Sequence, residues 1–117
     1  MAKKQFHLQP RIRVMRGKEI ALGPGKANLL REIHNRGSIS LAAKALGLSY
    51  MRAWTLVRTM NKCFKEPLII SSRGGDERGG ARLSKTGEKA LMIYEEMELR
   101  TLEAMNSSAR KFAKLLR

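Results

Sequence analysis

Residues 37–61 read GSISLAAKALGLSYMRAWTLVRTMN, a segment in which Gly47 interrupts two stretches of apolar residues at helical spacing. Glycine adopts a positive φ at little cost, so Gly47 is suited to turning the chain sharply. Ser49 follows as an N-cap for the next helix, and Ser40 is expected to cap the preceding one. The segment therefore predicts two helices joined at a steep angle.

The surrounding sequence extends this pair into a larger motif. Upstream, GPGKANLLREIHNRGS predicts a helix ending at Gly37, and alternation around Ile12 and Val14 predicts a hairpin before it. Downstream, EPLIISSRGGDERGGARLS predicts a helix end at Pro67 and two strands joined by a glycine-rich loop. A hairpin in this position is typical of a winged helix-turn-helix. An ordinary helical hairpin inside a core is the alternative.

A long last helix is predicted to begin at Ser84 or Thr86, with Glu88 in its first turn. Its apolar band is wider than one small domain needs, which favours dimerisation through this helix over core packing alone. The tail from Asn106 either continues as helix or is partly disordered. The predicted interface residues are Leu91, Tyr94, Met97, Leu102 and Met105.

These elements predict a mainly α fold with a small β-hairpin wing: a winged helix-turn-helix with a long C-terminal dimerisation helix. Residues 1–8 are expected to form a flexible basic tail. Residues 9–84 are expected to form the DNA-binding domain, and residues 85–117 the dimerisation helix and a basic tail. A length of 117 residues favours one domain.

The chain is strongly basic, with 24 Lys and Arg against 10 Asp and Glu and a net charge of +14. Such an excess indicates a polyanionic partner such as DNA, RNA or an anionic membrane surface. The acids are concentrated between Glu88 and Glu103. The acidic segment and the basic remainder are therefore expected to have different functions.

If the third helix lies in the major groove, its outward residues reach the bases, and Arg52 is the best candidate for reading a guanine edge. For Arg58 a solvated helix face is an equal alternative, and Trp54 is expected to pack against the wing or the first helix. The base-reading candidates are Tyr50, Met51, Arg52, Thr55 and Arg58. The candidates for phosphate or wing contacts are Ser38, Ser40, Lys44, Ser49, Thr59, Arg73, Arg78, Arg82 and Lys85.

Other kinds of site have little support. Cys63 is the only cysteine, which argues against disulfides and thiolate zinc sites and suggests a cytoplasmic, nucleoid-associated protein with a buried thiol. A metal site built from His7, His34 and Cys63 is disfavoured, and no base stands beside a nucleophile, so we expect no enzyme, metal or cofactor. The glycine pairs lack the GK[ST] ending of a phosphate-binding loop, and no apolar run approaches transmembrane length.

Several of these motifs together resemble the N-terminal DNA-binding domain of the ModE family of molybdate-dependent transcriptional regulators. A more distant similarity is to LysR-type regulators. The resemblance covers roughly residues 20 to 105. It rests on Gly37-Ser38-Ile39-Ser40, Ala42-Ala43, Gly47-Leu48-Ser49-Tyr50, Ala53-Trp54, Met60-Asn61, and the wing ending in Leu83 with Thr86 and Gly87.

The resemblance implies a dimeric transcription factor that binds double-stranded DNA, held together by its first and last helices, with the third helix in the major groove. Full-length members bind molybdate in separate C-terminal domains, so we expect no molybdate site in residues 1–117. A separate protein that senses molybdate or another effector is then a possible partner. The alternative function is a less specific architectural protein that binds DNA or RNA mainly through charge.

Overall fold

The computed structural model describes residues 6–72 and 80–117. A first antiparallel hairpin pairs β1 (Val14–Arg16) with β2 (Glu19–Leu22), with a bulge between Val14 and Met15. Ile12 and Val14 are half-buried and their neighbours Arg13 and Met15 are exposed, which confirms the predicted alternation.

Three helices follow the hairpin: α1 (Pro24–Arg36), α2 (Ile39–Leu46) and α3 (Tyr50–Cys63). Helix α1 begins at a proline, whose missing N–H costs nothing in the first turn, and ends at Gly37, which has a φ of 70°. The three helices pack around one core whose fully buried members include Leu29, Leu30 and Met60.

The cap of α2 differs from the prediction. Ser38, with φ −156° and ψ 135°, is the N-cap, and its hydroxyl accepts a hydrogen bond from the N–H of Leu41. Ser40 lies inside the first turn because Ile39, which is buried in the core, already belongs to the helix. The predicted cap by Ser40 is therefore wrong by two residues.

The wing pairs β3 (Ile69–Ser71) with β4 (Ala81–Leu83) as antiparallel strands, as predicted. Helix α3 ends at Cys63, four residues before Pro67, so the proline lies between the helix and β3 and does not terminate the helix itself. The Ala81 N–H donates to the Gly37 carbonyl at 2.9 Å, which joins the return strand to the start of the α1–α2 connection.

The long helix α4 (Lys85–Ala104) is capped by Ser84, whose hydroxyl accepts from the N–H of Gly87. A break at Met105 separates it from a short helix, α5 (Asn106–Ala113), so the tail is helical up to Ala113. The architecture is a winged helix-turn-helix followed by an extended C-terminal helix. Among the helices in residues 6–72 and 80–117, none is both long and apolar enough to cross a membrane.

Candidate nucleic-acid interface

The turn between α2 and α3 has the geometry that a DNA-reading helix pair requires. Gly47 has φ 70° and ψ 26°, and the following N–H of Leu48 donates to the Ala43 carbonyl at 2.9 Å. These bonds occupy carbonyls at the end of α2 while the chain reverses. Ser49 then accepts a hydrogen bond from the N–H of Arg52 at 3.0 Å. The cap therefore fixes the first turn of α3, where the best base-reading candidate lies.

One face of α3 is buried and the opposite face is open. Ala53, Val57 and Met60 lie in the core at spacings of four and three residues. Arg52 and Arg58 are exposed on the other side. Four of the five predicted base readers, Met51, Arg52, Thr55 and Arg58, are exposed outside the buried face, whereas Tyr50 is half-buried and packs against the core.

The two threonines of this face are already engaged with the helix backbone. Thr55 Oγ1 donates to the Met51 carbonyl at 2.9 Å, and Thr59 Oγ1 donates to the Thr55 carbonyl at 2.8 Å. Each hydroxyl hydrogen is therefore used, which leaves oxygen lone pairs and methyl groups to face outward. Arg52 and Arg58, by contrast, carry guanidinium N–H donors on the exposed part of α3.

Lys62 was not among the predicted site residues. It is exposed four residues after Arg58, so it continues the basic outer face toward the end of α3. Its spacing of four residues from Arg58, about one helical turn, is the sequence signal that would have identified it.

The aromatic pair at the start of α3 has a positioning role. The rings of Tyr50 and Trp54 meet edge to face, with centroids 6.3 Å apart and planes at 76°. Trp54 is half-buried and packs against the hydrophobic core. A ring held in this way favours a structural role for Trp54 over stacking on a base.

The phosphate candidates within the described residues are distributed over α2, α3, the wing and the start of α4. Lys44 is exposed in the last turn of α2, Arg82 is exposed on β4, and Lys85 is exposed at the start of α4. Ser38 and Ser49 are the caps of α2 and α3, and Ser40 and Thr59 are half-buried. Arg73 and Arg78 lie outside the described residues.

Asn61 connects α3 to the base of the wing, and sequence analysis assigned it no role. Its Oδ1 accepts from the N–H groups of Leu68 and Ile69 at 2.9 and 3.2 Å, and its Nδ2 donates to the Ile69 carbonyl at 3.2 Å. The side chain thus acts as an extra pairing partner for β3. This fixes the position of the wing relative to the outer face of α3.

The acidic segment lies on a different helix from the basic outer face of α3. Helix α4 carries five of the ten acids, and two of them bind α1: Arg31 Nε lies 2.7 Å from Glu95 Oε2, and Arg31 Nη2 lies 3.5 Å from Glu98 Oε1. These pairs hold α4 against α1, away from the outer face of α3. The acidic segment therefore lies on α4, and the basic outer face lies on α3.

A polar cluster beneath the first hairpin contains the cysteine. Lys26 is buried and its Nζ donates to the Ile20 carbonyl, and burial lowers its pKa. Cys63 is half-buried rather than fully buried as predicted, because it lies in the last turn of α3, where its Sγ contacts Glu19 Oε2 at 3.4 Å. Burial, followed by that hydrogen bond, raises the pKa of the thiol. A protonated thiol is a poor nucleophile and a poor metal ligand.

No metal-binding cluster of three or more His, Cys, Asp or Glu residues occurs within residues 6–72 and 80–117. His7 and His34 are both exposed.

The predicted dimer residues of α4 divide into two groups. Tyr94 is 1% exposed, its hydroxyl donates to the Ile12 carbonyl at 2.7 Å, and Leu91 is buried beside it in the core. The predicted place of Leu91 and Tyr94 in the dimer interface is therefore corrected, because these two side chains hold α4 to its own domain. Met97, Leu102 and Met105 are half-buried.

Three curated proteins are similar to this chain in sequence. The "Molybdenum transport protein ModE" of Azotobacter vinelandii is 36% identical over 86 residues, covering 74% of this chain and 32% of that protein. The "Molybdenum-pterin-binding protein MopB" of Rhodobacter capsulatus is 37% identical with the same coverage. The "DNA-binding transcriptional dual regulator ModE" of Escherichia coli K12 is 36% identical over 72 residues, covering 62% of this chain and 28% of that protein.

The chain spans about a third of the length of the curated relatives it matches. No family model matches the sequence. Among solved structures, the full-length LysR-type regulator LysG of Corynebacterium glutamicum, with bound effector Arg, superposes with a TM-score of 0.56 at 19% identity. The match covers 80% of this chain and 30% of LysG. This likeness supports the winged helix-turn-helix fold.

Proposed function

We propose that this chain, which is ModE-like over 74% of its length, is a sequence-specific DNA-binding transcriptional regulator that acts as a dimer on an inverted-repeat operator. The observation that carries the proposal is the outer face of α3. That face is solvent-exposed and free of acids, and Ser49 fixes its first turn, where Arg52 lies. A net charge of +14 supplies the attraction to DNA that such a face needs.

In this proposal Arg52 binds a guanine edge, with Met51, Thr55, Arg58 and half-buried Tyr50 contacting neighbouring base pairs. The phosphates of the DNA would contact the polar residues around α3, and these contacts would position the helix without reading sequence. The proposed phosphate contacts are Ser38, Ser40, Lys44, Ser49, Thr59, Lys62, Arg82 and Lys85, with Arg73 and Arg78 of the wing loop as sequence-based candidates.

The proposed dimer uses the C-terminal helices. The Cα radius of gyration is 17.0 Å, whereas a compact chain of this length has about 13 Å. Helix α4 also keeps Met92, Ile93 and Leu99 exposed. An extended helix with uncovered apolar side chains is typical of a subunit contact, and two-fold pairing matches the symmetry of an inverted repeat.

We further propose that the domain boundaries fall near residues 8 and 84, that the protein works at the nucleoid in the cytoplasm, and that it has no enzymatic activity. The names of the relatives support target genes related to molybdenum. In this proposal a molybdate response would come from a separate sensor protein.

The test is a salt-titrated binding comparison between DNA from the gene's own upstream region and scrambled DNA of equal length. We expect a preference of roughly 10³-fold or more for the native DNA. Arg52→Ala should abolish most of that preference. The matched control is Arg36→Ala, because Arg36 is also exposed but pairs with Glu32 at the end of α1.

The second candidate is an architectural protein that binds DNA or RNA with little sequence preference, and the high net charge favours it. Equal affinity for both DNAs, a steep loss of affinity as salt rises, and no effect of Arg52→Ala would support this candidate and refute sequence-specific regulation.

A further inference from the structure

Helix α4 has a solvent-facing side that the described residues leave largely exposed. Met92 and Leu99, seven residues apart, are 62% and 58% exposed, and the core residues Leu91 and Tyr94 lie on a different side of the helix. Glutamates recur between and beside these two apolar residues at helical spacing. We name this side the α4 stripe; its members are Glu88, Met92, Glu95, Glu96, Leu99 and Glu103, all exposed.

The C-terminal arm, residues 106–117, has the opposite character. It contains four bases and no acid. Phe112 and Leu115 are 61% and 80% exposed, three residues apart, and Leu116 beside them is also exposed. A short basic helix with uncovered apolar residues needs a surface that is both acidic and apolar. The bases are Arg110, Lys111, Lys114 and Arg117.

We infer that the C-terminal arm of one copy packs on the α4 stripe of a second copy, with its apolar residues on Met92 and Leu99 and its bases beside the glutamates. This inference rests on the proposed dimer and specifies which surfaces form it. The stripe carries four acids, two of which already pair within the chain, and the arm carries four bases; a two-fold axis produces the contact twice per dimer.

The arm does not cover the stripe of its own chain, because Met92 and Leu99 remain 62% and 58% exposed in its presence. The 20 residues of α4 extend over about 30 Å, and the stripe begins near its far end. The occupant must therefore come from another molecule.

Charge also selects between the ways in which two copies can meet. Stripe against stripe would bring Glu88 and Glu103 of both copies together, and arm against arm would bring eight bases together, both of which are unfavourable. Arm against stripe is the combination with opposite charges. Glu95 and Glu96 already contact Arg31 and Arg100, whereas Glu88 and Glu103 make no ion pair with the described residues. The stripe therefore retains acids able to bind an external base.

The competing role for the arm is a contact with DNA, and charge reversal distinguishes the two. The stripe variant is Glu96→Lys with Glu103→Lys, and the arm variant is Lys111→Glu with Lys114→Glu. The control, Lys18→Glu with Lys65→Glu, changes net charge as much as the arm variant at two exposed sites outside both surfaces. Sedimentation equilibrium of the full chain gives the dimer dissociation constant, and circular dichroism checks folding.

We expect each variant alone to weaken the dimer by about tenfold or more, and the control to leave it unchanged. An equimolar mixture of the two variants should form a heterodimer with near wild-type affinity, because each reversed surface then meets its complement. Rescue in the mixture also excludes misfolding as the cause of the separate losses.

A wild-type dimer that neither reversal weakens would overturn this inference and leave the proposed regulator intact. If neither reversal weakens the dimer but the arm variant binds DNA less tightly, the arm contacts DNA and not the stripe. A wild-type chain that stays monomeric would overturn the proposed dimer and this inference together. Rescue in a protein without DNA preference would support the inference and refute sequence-specific regulation.

Discussion

Asn61 and Leu68 are joined by a hydrogen bond in which the side-chain oxygen of Asn61 accepts from the backbone N–H of Leu68 at 2.9 Å. Leu68 is fully buried, so its N–H has no access to water. The last turns of α3 and the first strand of the wing are therefore held together by one amide side chain. The two parts of the fold proposed to touch DNA share this connection.

Replacing Asn61 by Ala should lower the free energy of unfolding by about 2–3 kcal/mol, because it leaves the N–H groups of Leu68 and Ile69 without their acceptor. Asn61→Asp keeps the acceptor oxygen and loses the donor to the Ile69 carbonyl, so it should cost less. Urea denaturation of both variants measures the difference. Equal losses in the two variants would show that the acceptor oxygen is not the important group.

The sequence predicted the elements better than their boundaries and burial. Gly37 and Gly47 were correctly predicted to end helices, because the positive φ at these positions is a local requirement that glycine meets. Ser38 and Ser40 are both good caps by composition, and burial of Ile39 decided between them. Burial depends on residues distant in sequence, and a local pattern does not contain that information.

The dependence of burial on residues distant in sequence also explains the wrong predictions at the candidate site. The apolar band of α4 contained both core and exposed residues, and only the packing of Tyr94 against the first hairpin separates them. Asn61 was visible as part of a motif, but its role depends on strand β3 lying beside α3. The exposure of Arg52 and Arg58 was predictable, because helical periodicity alone places both outside the buried face of α3.

Gly87 and Gly25 should respond in opposite ways to substitution by alanine. A Cβ atom at Gly87 would overlap the carbonyl oxygen of Leu68, and both residues are buried where α4 crosses the start of the wing. Backbone on both sides prevents easy relief, so Gly87→Ala should destabilise the fold by about 2 kcal/mol or more.

Gly25 in α1 is the matched control, because nothing lies within 4 Å of the corresponding Cβ position. Gly25→Ala should raise stability by about 0.4–1 kcal/mol, since alanine restricts the unfolded chain more than glycine does. Thermal unfolding of the two variants provides the comparison. A stable Gly87→Ala protein would mean that α4 can move away from Leu68 at little cost.

Cys63 should react slowly with iodoacetamide at pH 8. Burial and the hydrogen bond to Glu19 raise the pKa of its thiol above its usual value, so little thiolate is present. Glu19→Gln removes the negative charge beside the sulfur, lowers that pKa and should increase the alkylation rate several-fold. Glu103→Gln, an exposed acid on α4, is the control and should leave the rate unchanged.

The same group gives a pH dependence of stability. A thiol with a higher pKa in the folded state binds its proton more tightly there than in the unfolded chain. Its stabilising contribution is therefore complete below about pH 9 and declines as pH rises through the folded-state pKa. Urea titrations of wild type and Cys63→Ala at pH 7.5 and 10 measure this contribution. A difference in the free energy of unfolding between the two proteins that is the same at both pH values would contradict it.

Lys44 offers a test of phosphate contacts that differs from the test of Arg52. It is exposed in the last turn of α2, next to the turn that leads into α3. If it binds phosphate, Lys44→Ala should weaken binding to native and scrambled DNA by the same factor, because phosphates carry no sequence information. The slope of log affinity against log salt should fall in magnitude by about 0.9 per contact, and hence by about 1.8 for a dimer.

Lys89→Ala removes an equal charge from α4 and should change neither quantity. A loss confined to the native DNA would instead make Lys44 a base-reading residue.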